Sequence, residues 1–265
     1  RAFDFALYNQ LGETLKFAAN RADFDLITRF SFVKQLPEPR QQWHRLHGLL
    51  RRLHAAEGNE RVRAAHRWLE QHYREIGQRA EAIYHVNQLN PSQGTQEWIR
   101  VFDEALQLSR YEACETLLEV RRALRLVSYF QLGLMSQSEG DYYQSLARYE
   151  EAEQEYRESI WAGQQSLEAE GDDVETQNHL GNAYSKLGDL QLRLAKYQDA
   201  LSSYQQAIVA YDDALRRAPD YINALNNKGL ALESLGDLQA GLSQYADALS
   251  SYQQAIVAYD DALRR

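Results

Sequence analysis

Cysteine, methionine and proline are scarce in this chain of 265 residues, which contains one Cys, one Met and four Pro. The single cysteine, Cys114, excludes an intrachain disulfide framework and suits a reducing, cytoplasmic setting. No uninterrupted apolar run approaches the roughly 18 residues of a membrane-spanning helix, so the sequence predicts no membrane span. Because Pro is rare and Gly is sparse, long helices are permitted along nearly the whole chain.

The common sequence motifs of catalysis and metal binding are also missing. There is no G-x-x-x-x-G-K-[ST] phosphate loop, and no H-E-x-x-H or cysteine pair. Cys114 lies in an apolar pattern, which favours a buried small hydrophobe over a nucleophile. His44, His47 and His54 are close in sequence, but packed and solvated histidines at a strand-to-helix junction explain them better than a metal does. The sequence therefore predicts no enzyme activity, no metal site and no cofactor.

The net charge of −9 is unevenly distributed along the chain. Residues 1–124 contain 18 Lys/Arg and 16 Asp/Glu, whereas residues 125–265 contain 11 Lys/Arg and 22 Asp/Glu. Two regions of different composition are indicated. The acidic region is a poor candidate for nucleic-acid binding, because that affinity comes largely from basic side chains on phosphates.

A block of 19 residues, DALSSYQQAIVAYDDALRR, occurs at 199–217 and again without a change at 247–265. Its apolar residues recur with a seven-residue pattern, which places one apolar stripe along an α-helix. Identical helices suit a stacked array, in which equivalent positions recur and each unit contacts mainly its neighbours. The stripe of the first copy consists of Ala200, Leu201, Tyr204, Ala207, Ile208, Tyr211, Ala214 and Leu215.

The correspondence extends over a period of 48 residues. Three copies at one spacing indicate an array, with the third copy cut short. The aligned positions are Gly133, Gly181 and Gly229; Gly140, Gly188 and Gly236, each followed by Asp; Tyr149, Tyr197 and Tyr245; and Tyr156, Tyr204 and Tyr252. Each unit is predicted to form two antiparallel helices that meet near Tyr149, Tyr197 or Tyr245. The alternative, a coiled coil, is disfavoured because three heptads interrupted by turn signals barely reach its usual length.

The segments LGNAYSKLGD (180–189) and ALNNKGLALESLGD (224–237) resemble the first helix of a tetratricopeptide repeat. AYDDALRRAPDY (210–221) is similar to the end of the second helix of that repeat. The family unit has about 34 residues, so the longer period here predicts one extra heptad in each helix. An added heptad rotates the buried stripe by only about 20°. The resemblance implies an all-α, right-handed superhelix of helical hairpins. The two added heptads predict first helices that run unbroken through Gly188 and Gly236, whereas a repeat of the family's ordinary length would place the turn there.

Shorter, degenerate hairpins are predicted before the long repeats. The segment Arg61–Pro91 predicts one with its turn at Gly77, and Glu97–Leu124 predicts another that turns near Ser109–Arg110. The predicted organisation is a winged-helix-like remnant at 1–58, short hairpins at 59–124, and three 48-residue repeats at 125–265, the last truncated.

The remnant is predicted from two aromatic clusters on either side of a Pro-Glu-Pro turn. Phe30 and Phe32 precede Pro37–Pro39, and Trp43 follows just before a helix that is expected from about Leu46. Two short strands around a turn are typical of the wing of a winged-helix domain. Together with AEAIYHVNQLNP (80–91), this region resembles the segment that follows the nucleotide-binding domain in STAND-type signalling ATPases.

That resemblance implies a protein-interaction or ligand-sensing scaffold, the sensor arm of a signalling ATPase whose nucleotide-binding domain lies upstream of Arg1. The alternatives are a DNA-binding domain that uses the basic segment around Arg51 and Arg52, and a regulatory domain that responds to a small molecule. Leu46, Leu49, Leu50 and Leu53 indicate instead that the basic segment is chiefly a packing helix.

The tetratricopeptide resemblance places a protein or peptide partner in a concave groove lined by the first helices. In some family members Lys and Asn at these places clamp a terminal carboxylate; Asn182 and Lys186 match that pattern, whereas Leu230 and Glu233 depart from it. An ordinary solvated polar face is the alternative. The groove positions carried over are Asn178, Asn182, Ser185, Lys186, Asn226, Leu230, Glu233 and Ser234.

The last predicted helix, 247–265, has no following helix to cover it, whereas its identical copy at 199–217 does. Part of its apolar flank is therefore expected to be bare. The sequence predicts fraying of the last turn, or self-association of chains through this open repeat. It also indicates a fragment of a longer protein.

Overall fold

The computed structural model describes residues 2–28, 33–35, 44–46, 60–171 and 173–265. The chain divides into two compact units, Arg1–Val127 and Ser128–Arg265. The fold is all-α and is built from tetratricopeptide-like helical hairpins, with a small three-stranded sheet near the N-terminus. Among the helices of the described residues, none is long and apolar enough to cross a membrane.

The first unit begins with short elements: β1 (Ala2–Phe3), α1 (Phe5–Leu15), α2 (Arg21–Thr28), β2 (Val33–Gln35) and β3 (His44–Leu46). The strands form an antiparallel sheet in the order β1-β3-β2. The Asp4 side chain caps α1 by accepting a hydrogen bond from the backbone N–H of Leu7 at 2.8 Å.

The expected pair of short strands is present, since β2 and β3 lie on either side of residues 36–43 and pair with each other. Leu46, where a helix was expected to begin, belongs to β3 instead. The remaining predictions on this segment lie outside the described residues; they concern Phe30, Phe32, Pro37, Pro39, Trp43, His47, Leu49, Leu50, Arg51, Arg52, Leu53 and His54.

From Glu60 onward, where the structure again describes the first unit, its helices are α3 (Glu60–Glu75), α4 (Arg79–Leu89), α5 (Pro91–Gln107) and α6 (Tyr111–Arg121). The turns lie at Gly77 and at Ser109–Arg110, as predicted. Cys114 is fully buried, and burial raises the pKa of its thiol to about 11. The prediction of a packing cysteine is therefore confirmed, because a reactive cysteine needs a lowered pKa.

The second unit consists of six long helices in three hairpins: α7 (Tyr129–Ser145), α8 (Tyr149–Glu170), α9 (Val174–Arg193), α10 (Tyr197–Arg217), α11 (Ile222–Gly241) and α12 (Tyr245–Leu263). We refer to α7, α9 and α11 as first helices and to α8, α10 and α12 as second helices. The helices α9 and α11 run unbroken through Gly188 and Gly236, so the prediction of two extra heptads per hairpin is confirmed.

The hairpin turns use one hydrogen-bond pattern. The backbone N–H of Lys196 donates to the carbonyl of Gln191 at 2.8 Å, and Ala195 between the helices has a φ of 56°. This is the Schellman arrangement, which needs a left-handed residue and therefore favours glycine. Glycine occupies the equivalent place only at Gly77 among the turns described; elsewhere the left-handed residue is Ser109, Ala147, Ala195 or Ser243.

The apolar stripe of α10 lies in the core of the second unit, as predicted. Tyr204 and Tyr211 are at most 1% exposed, which confirms that these tyrosines are core residues first. Side chains of both α9 and α11 pack on α10, so its burial comes from a stacked array rather than from a two-stranded coiled coil. The remaining buried members of the stripe are Ala200, Ala207 and Ala214.

Candidate partner-binding surface

A Gly-Asp pair on each first helix and a tyrosine on the following second helix form a contact that recurs in all three long hairpins. The Tyr204 hydroxyl donates to Asp189 at 2.6 Å, and a Cβ placed on Gly188 would lie 2.8 Å from the Tyr204 ring. The glycine therefore lets the ring lie against the helix backbone, while the aspartate fixes the hydroxyl. The equivalent hydroxyl bonds are Tyr156 to Asp141 at 2.7 Å and Tyr252 to Asp237 at 2.6 Å.

The electrostatics of this contact are those of a structural element. Burial, followed by the hydrogen bond with Asp189, raises the pKa of Tyr204 well above its usual value. Burial also raises the pKa of Asp189, which the hydrogen bond from Tyr204 partly opposes. A phenol that stays protonated and donates to a neighbouring carboxylate fixes helix register and supplies no acid–base chemistry near neutral pH.

The predicted groove residues of α9 are partly engaged by α10 and α11. The Asn182 Oδ1 accepts hydrogen bonds from the Tyr211 hydroxyl at 2.8 Å and from Asn227 Nδ2 at 3.0 Å. Asn178 is buried, and its Oδ1 accepts a further bond from Asn227 at 3.2 Å. Ser185 is half-buried beside them. Asn178 thus serves the packing of α9 on α11 more than an open surface.

Sequence reasoning missed Asn227, which bridges the two predicted asparagines. The 48-residue period aligns it with Gln131 and His179, and all three positions carry polar side chains with little exposure. A polar residue that recurs at a position facing the neighbouring repeat was the available signal. In α11 this position makes contacts between repeats, through the hydrogen bonds of Asn227 with Asn178 and Asn182.

Lys186, the predicted cation of a carboxylate clamp, already has a carboxylate partner. Its Nζ lies 2.9 Å from both carboxylate oxygens of Asp141, on the preceding first helix. About a third of each side chain remains exposed. An incoming carboxylate would therefore compete with Asp141 for this lysine.

The predicted residues of α11 are more open than those of α9. Asn226, Leu230 and Glu233 are exposed, and Leu230 is 56% exposed although it is a large apolar side chain. Glu233 accepts a hydrogen bond from the Tyr259 hydroxyl at 3.0 Å, and burial raises the pKa of that tyrosine to about 12.

Ser234, in contrast, is half-buried and hydrogen-bonds with Tyr204. It therefore lies between α10 and α11 rather than on the open side. We call the accessible set the first-helix surface; it consists of Asn182, Lys186, Asn226, Leu230 and Glu233.

Three histidines among the described residues lie in packed surroundings. His179 is 3% exposed, neither ring nitrogen has a hydrogen-bond partner among the described residues, and burial lowers its pKa to about 4. The Nδ1 atoms of His66 and His85 lie 2.8 Å apart, and burial lowers the pKa of His66 to about 4. In the described part of the chain, no three His, Cys, Asp or Glu side chains are grouped so as to hold a metal ion.

No family model and no curated protein matches the sequence. Among solved structures, one described as the crystal structure of MamA has a TM-score of 0.40 and 16% sequence identity, and the match covers 74% of this chain and 98% of that one. A second, described as the crystal structure of MamA protein, has a TM-score of 0.40 and 15% identity, with 78% of this chain and 96% of that chain covered.

Proposed function

We propose that this chain is a protein-interaction scaffold that holds an extended segment of a partner along the first-helix surface. The observation that carries the proposal is the 56% exposure of Leu230, a large apolar side chain of the first-helix surface. Asn182 uses its oxygen for Tyr211 and Asn227, whereas its amide nitrogen has no bond among the described residues.

The chemistry of this surface suits a peptide backbone with a basic, partly apolar sequence. The Asn182 amide group can donate to a peptide carbonyl, and Leu230 offers an apolar contact. Glu233 and the excess of 22 Asp/Glu over 11 Lys/Arg in residues 125–265 favour a cationic partner. A terminal carboxylate at Lys186 would first have to displace Asp141, so the clamp described for some tetratricopeptide proteins is disfavoured here.

The proposal is tested with peptides selected from a random library on the intact chain. Leu230→Glu should weaken their binding at least about tenfold, because it removes an apolar contact and adds a charge at the contact point. Val209→Glu is the matched control, since Val209 is 53% exposed and lies on a second helix. Equal loss in the two variants, or selected peptides without excess positive charge, would contradict the proposal.

We also propose a more specific role for this scaffold: it is the sensor arm of a STAND-type signalling ATPase in the cytoplasm. What supports it is the order of elements: a β2–β3 hairpin that follows α1 and α2, then short helical hairpins, then long repeats. The decisive observation is the sequence encoded upstream of Arg1. A phosphate loop there, and ATP hydrolysis that changes when a peptide occupies the first-helix surface, are the expected results. An upstream segment without a phosphate loop removes the assignment and leaves the scaffold proposal intact.

A further inference from the structure

The first long hairpin carries a pair of aromatic side chains at its surface. Tyr129, at the start of α7, and Trp161, in α8, lie edge to face, with ring centroids 5.7 Å apart and ring planes at 89°. The two side chains are 38% and 44% exposed. Large aromatic side chains contribute to stability mainly by being buried. A perpendicular pair that stays open to solvent instead presents two walls of a corner.

The other long hairpins show that stacking does not require these rings. The 48-residue period aligns Trp161 with Val209, which is 53% exposed although α9 and α11 both pack on its helix. The position therefore faces outward even in a helix with neighbours on two sides. The period aligns Tyr129 with Gln177 and Leu225, which are buried. Only the first long hairpin has aromatic residues at both positions.

A carboxylate lies beside the aromatic pair. Glu170, the last residue of α8, accepts hydrogen bonds from the backbone N–H of Tyr129 and from the Ser166 hydroxyl, both at 3.3 Å. A carboxylate has about four acceptor sites, so Glu170 can accept further bonds. It also lies at the C-terminal end of α8, where the helix dipole favours a positive charge.

The exposed side of α8 around Trp161 is acidic. Residues 149–170 contain seven Glu and one Arg, and that arginine, Arg157, already pairs with a glutamate of the same helix at 2.8 Å. Glu158, one turn before Trp161, and Glu168, two turns after it, are exposed and have no ion pair with any residue that the structure describes. These surroundings favour a positively charged ligand.

We propose that Tyr129, Trp161 and Glu170, called the aromatic corner, bind an arginine side chain in a basic segment of a partner protein. A guanidinium group is planar and weakly hydrated, so it can stack on the Trp161 ring while its N–H groups donate to Glu170. A lysine carries a compact, strongly hydrated ammonium group, which suits a ring beside a carboxylate less well.

The spread of negative charge favours a protein segment over a small free cation. Glu158 and Glu168 are about ten residues apart, which corresponds to about 15 Å along the helix. An extended segment of about five residues has that length, whereas a free guanidinium or quaternary ammonium ion would occupy the aromatic corner alone. The first-helix surface lies on α9 and α11, so this proposal does not rest on the proposed function.

The probe is a nine-residue peptide of Gly and Ser with a central arginine and a lysine at each end, titrated against the intact chain by calorimetry at low ionic strength. Saturable binding is expected. Citrulline in place of the arginine keeps the shape without the charge and should weaken binding at least about tenfold; lysine should weaken it at least about threefold. In a chain labelled with 5-fluorotryptophan, the peptide should shift the ¹⁹F NMR signal that Trp161→Val removes.

Two variants of the chain test the corner itself. Trp161→Val should weaken binding at least about fivefold, because it removes the stacking surface. Glu170→Gln should do the same, because glutamine still accepts a hydrogen bond from Tyr129 but has no charge. Glu150→Gln is the matched control: Glu150 is exposed near the other end of α8, and its loss should change binding less than about twofold.

Valine is the residue at the equivalent position of α10, so Trp161→Val should stay folded, which circular dichroism checks. The proposal is overturned by any of these results: no saturable binding of the arginine peptide, equal affinity of the citrulline peptide, unchanged binding by Trp161→Val, or equal losses in Glu170→Gln and Glu150→Gln.

Other occupants of the aromatic corner give different results, and each would also overturn the proposal. Tetramethylammonium that shifts the Trp161 signal with the affinity of the peptide would indicate a small free cation. Dimers in sedimentation that Trp161→Val dissociates would indicate a second copy of this chain. Leu230→Glu should leave binding of the arginine peptide unchanged, so failure of the first-helix surface and failure of the aromatic corner are distinguishable.

Discussion

Gly188 shows how a single residue sets the distance between two helices. A Cβ there would lie 2.8 Å from the ring of Tyr204, which is fully buried and bonded to Asp189, so the ring cannot move aside. We predict that Gly188→Ala lowers the free energy of unfolding by about 1–2 kcal/mol, because overpacking outweighs the better helix propensity of alanine. Urea denaturation measures this loss.

Gly241 is the matched control for that substitution. It also lies in a helix, but a Cβ on it would meet nothing within 4 Å. Gly241→Ala should therefore stabilise the chain by a few tenths to about 1 kcal/mol through propensity alone. If both substitutions change stability in the same direction, the close contact between Gly188 and Tyr204 does not limit the packing.

His179 gives the second unit a dependence on pH. Burial holds its pKa at about 4, below the ordinary value of 6.5, because the folded chain accommodates only the neutral ring. The stability associated with the neutral ring is thus present above about pH 6.5 and is lost as the pH falls towards 4.

We predict that His179→Gln removes this loss, since glutamine is the residue at the equivalent position 131. The difference in unfolding free energy between the two proteins should change by roughly 1–3 kcal/mol between pH 7 and pH 4. His66 has a lowered pKa in both proteins and contributes equally to each. Parallel pH profiles would show that His179 does not contribute.

At the scale of secondary-structure elements, several hairpin turns hold a residue other than glycine in the left-handed backbone conformation, and a substitution by glycine would relieve that strain. Ala195 has a φ of 56°, a conformation that costs a residue with a Cβ about 1 kcal/mol or more relative to glycine. We predict that Ala195→Gly raises the unfolding free energy by about 1 kcal/mol in thermal or urea denaturation. Gly77→Ala, where φ is 74° and no atom would contact the new Cβ, should lower it by about as much.

Those turns were the most predictable part of the fold. The 48-residue period, the aligned Tyr149, Tyr197 and Tyr245, and the duplicated block together placed each turn within a few residues. The reason is physical: helices with the same apolar stripe pack in the same way on the other helix of their own hairpin, so the positions at which they end recur with the period of the sequence. The β2–β3 hairpin followed from the Pro-Glu-Pro turn, whereas β1, with only Ala2 and Phe3, carried no pattern to detect.

The candidate site was less predictable than the helices that carry it. The sequence placed Asn182 and Lys186 on the same helix face, but it could not show that Asn227 and Asp141 from neighbouring first helices bond to them. Those contacts connect residues 45 positions apart in each case. They depend on the rotation of one hairpin relative to the next. The spacing of apolar residues in the sequence does not determine that rotation accurately enough to predict which side chains meet.

At the scale of the whole molecule, each hairpin of the second unit is stabilised by its contacts with the neighbouring hairpins. The core clusters join α10 to residues of both α9 and α11, whereas α12 packs on α11. In such an array the free energy of unfolding is approximately the sum of the intrinsic stability of each repeat and the contributions of its interfaces with neighbouring repeats. Two helices of identical sequence but different numbers of neighbours isolate the interface contribution.

Hydrogen exchange measures that contribution directly, since the identical blocks at 199–217 and 247–265 have nearly the same intrinsic exchange rates. We predict that amides of α12 exchange at least about tenfold faster than their counterparts in α10, because α12 opens without breaking a second interface. NMR resolves the two copies. In mass spectrometry the distinguishing peptides must include Gln198 or Ala246, the residues just before each block.

The difference in exchange rate between the two copies should be largest at the C-terminal turn, where Leu263 is 85% exposed and Leu215 is half-buried. Equal protection of the two copies in a chain that sediments as a monomer would show that α12 is stabilised by its own hairpin alone, and that the cover provided by α11 adds little to α10.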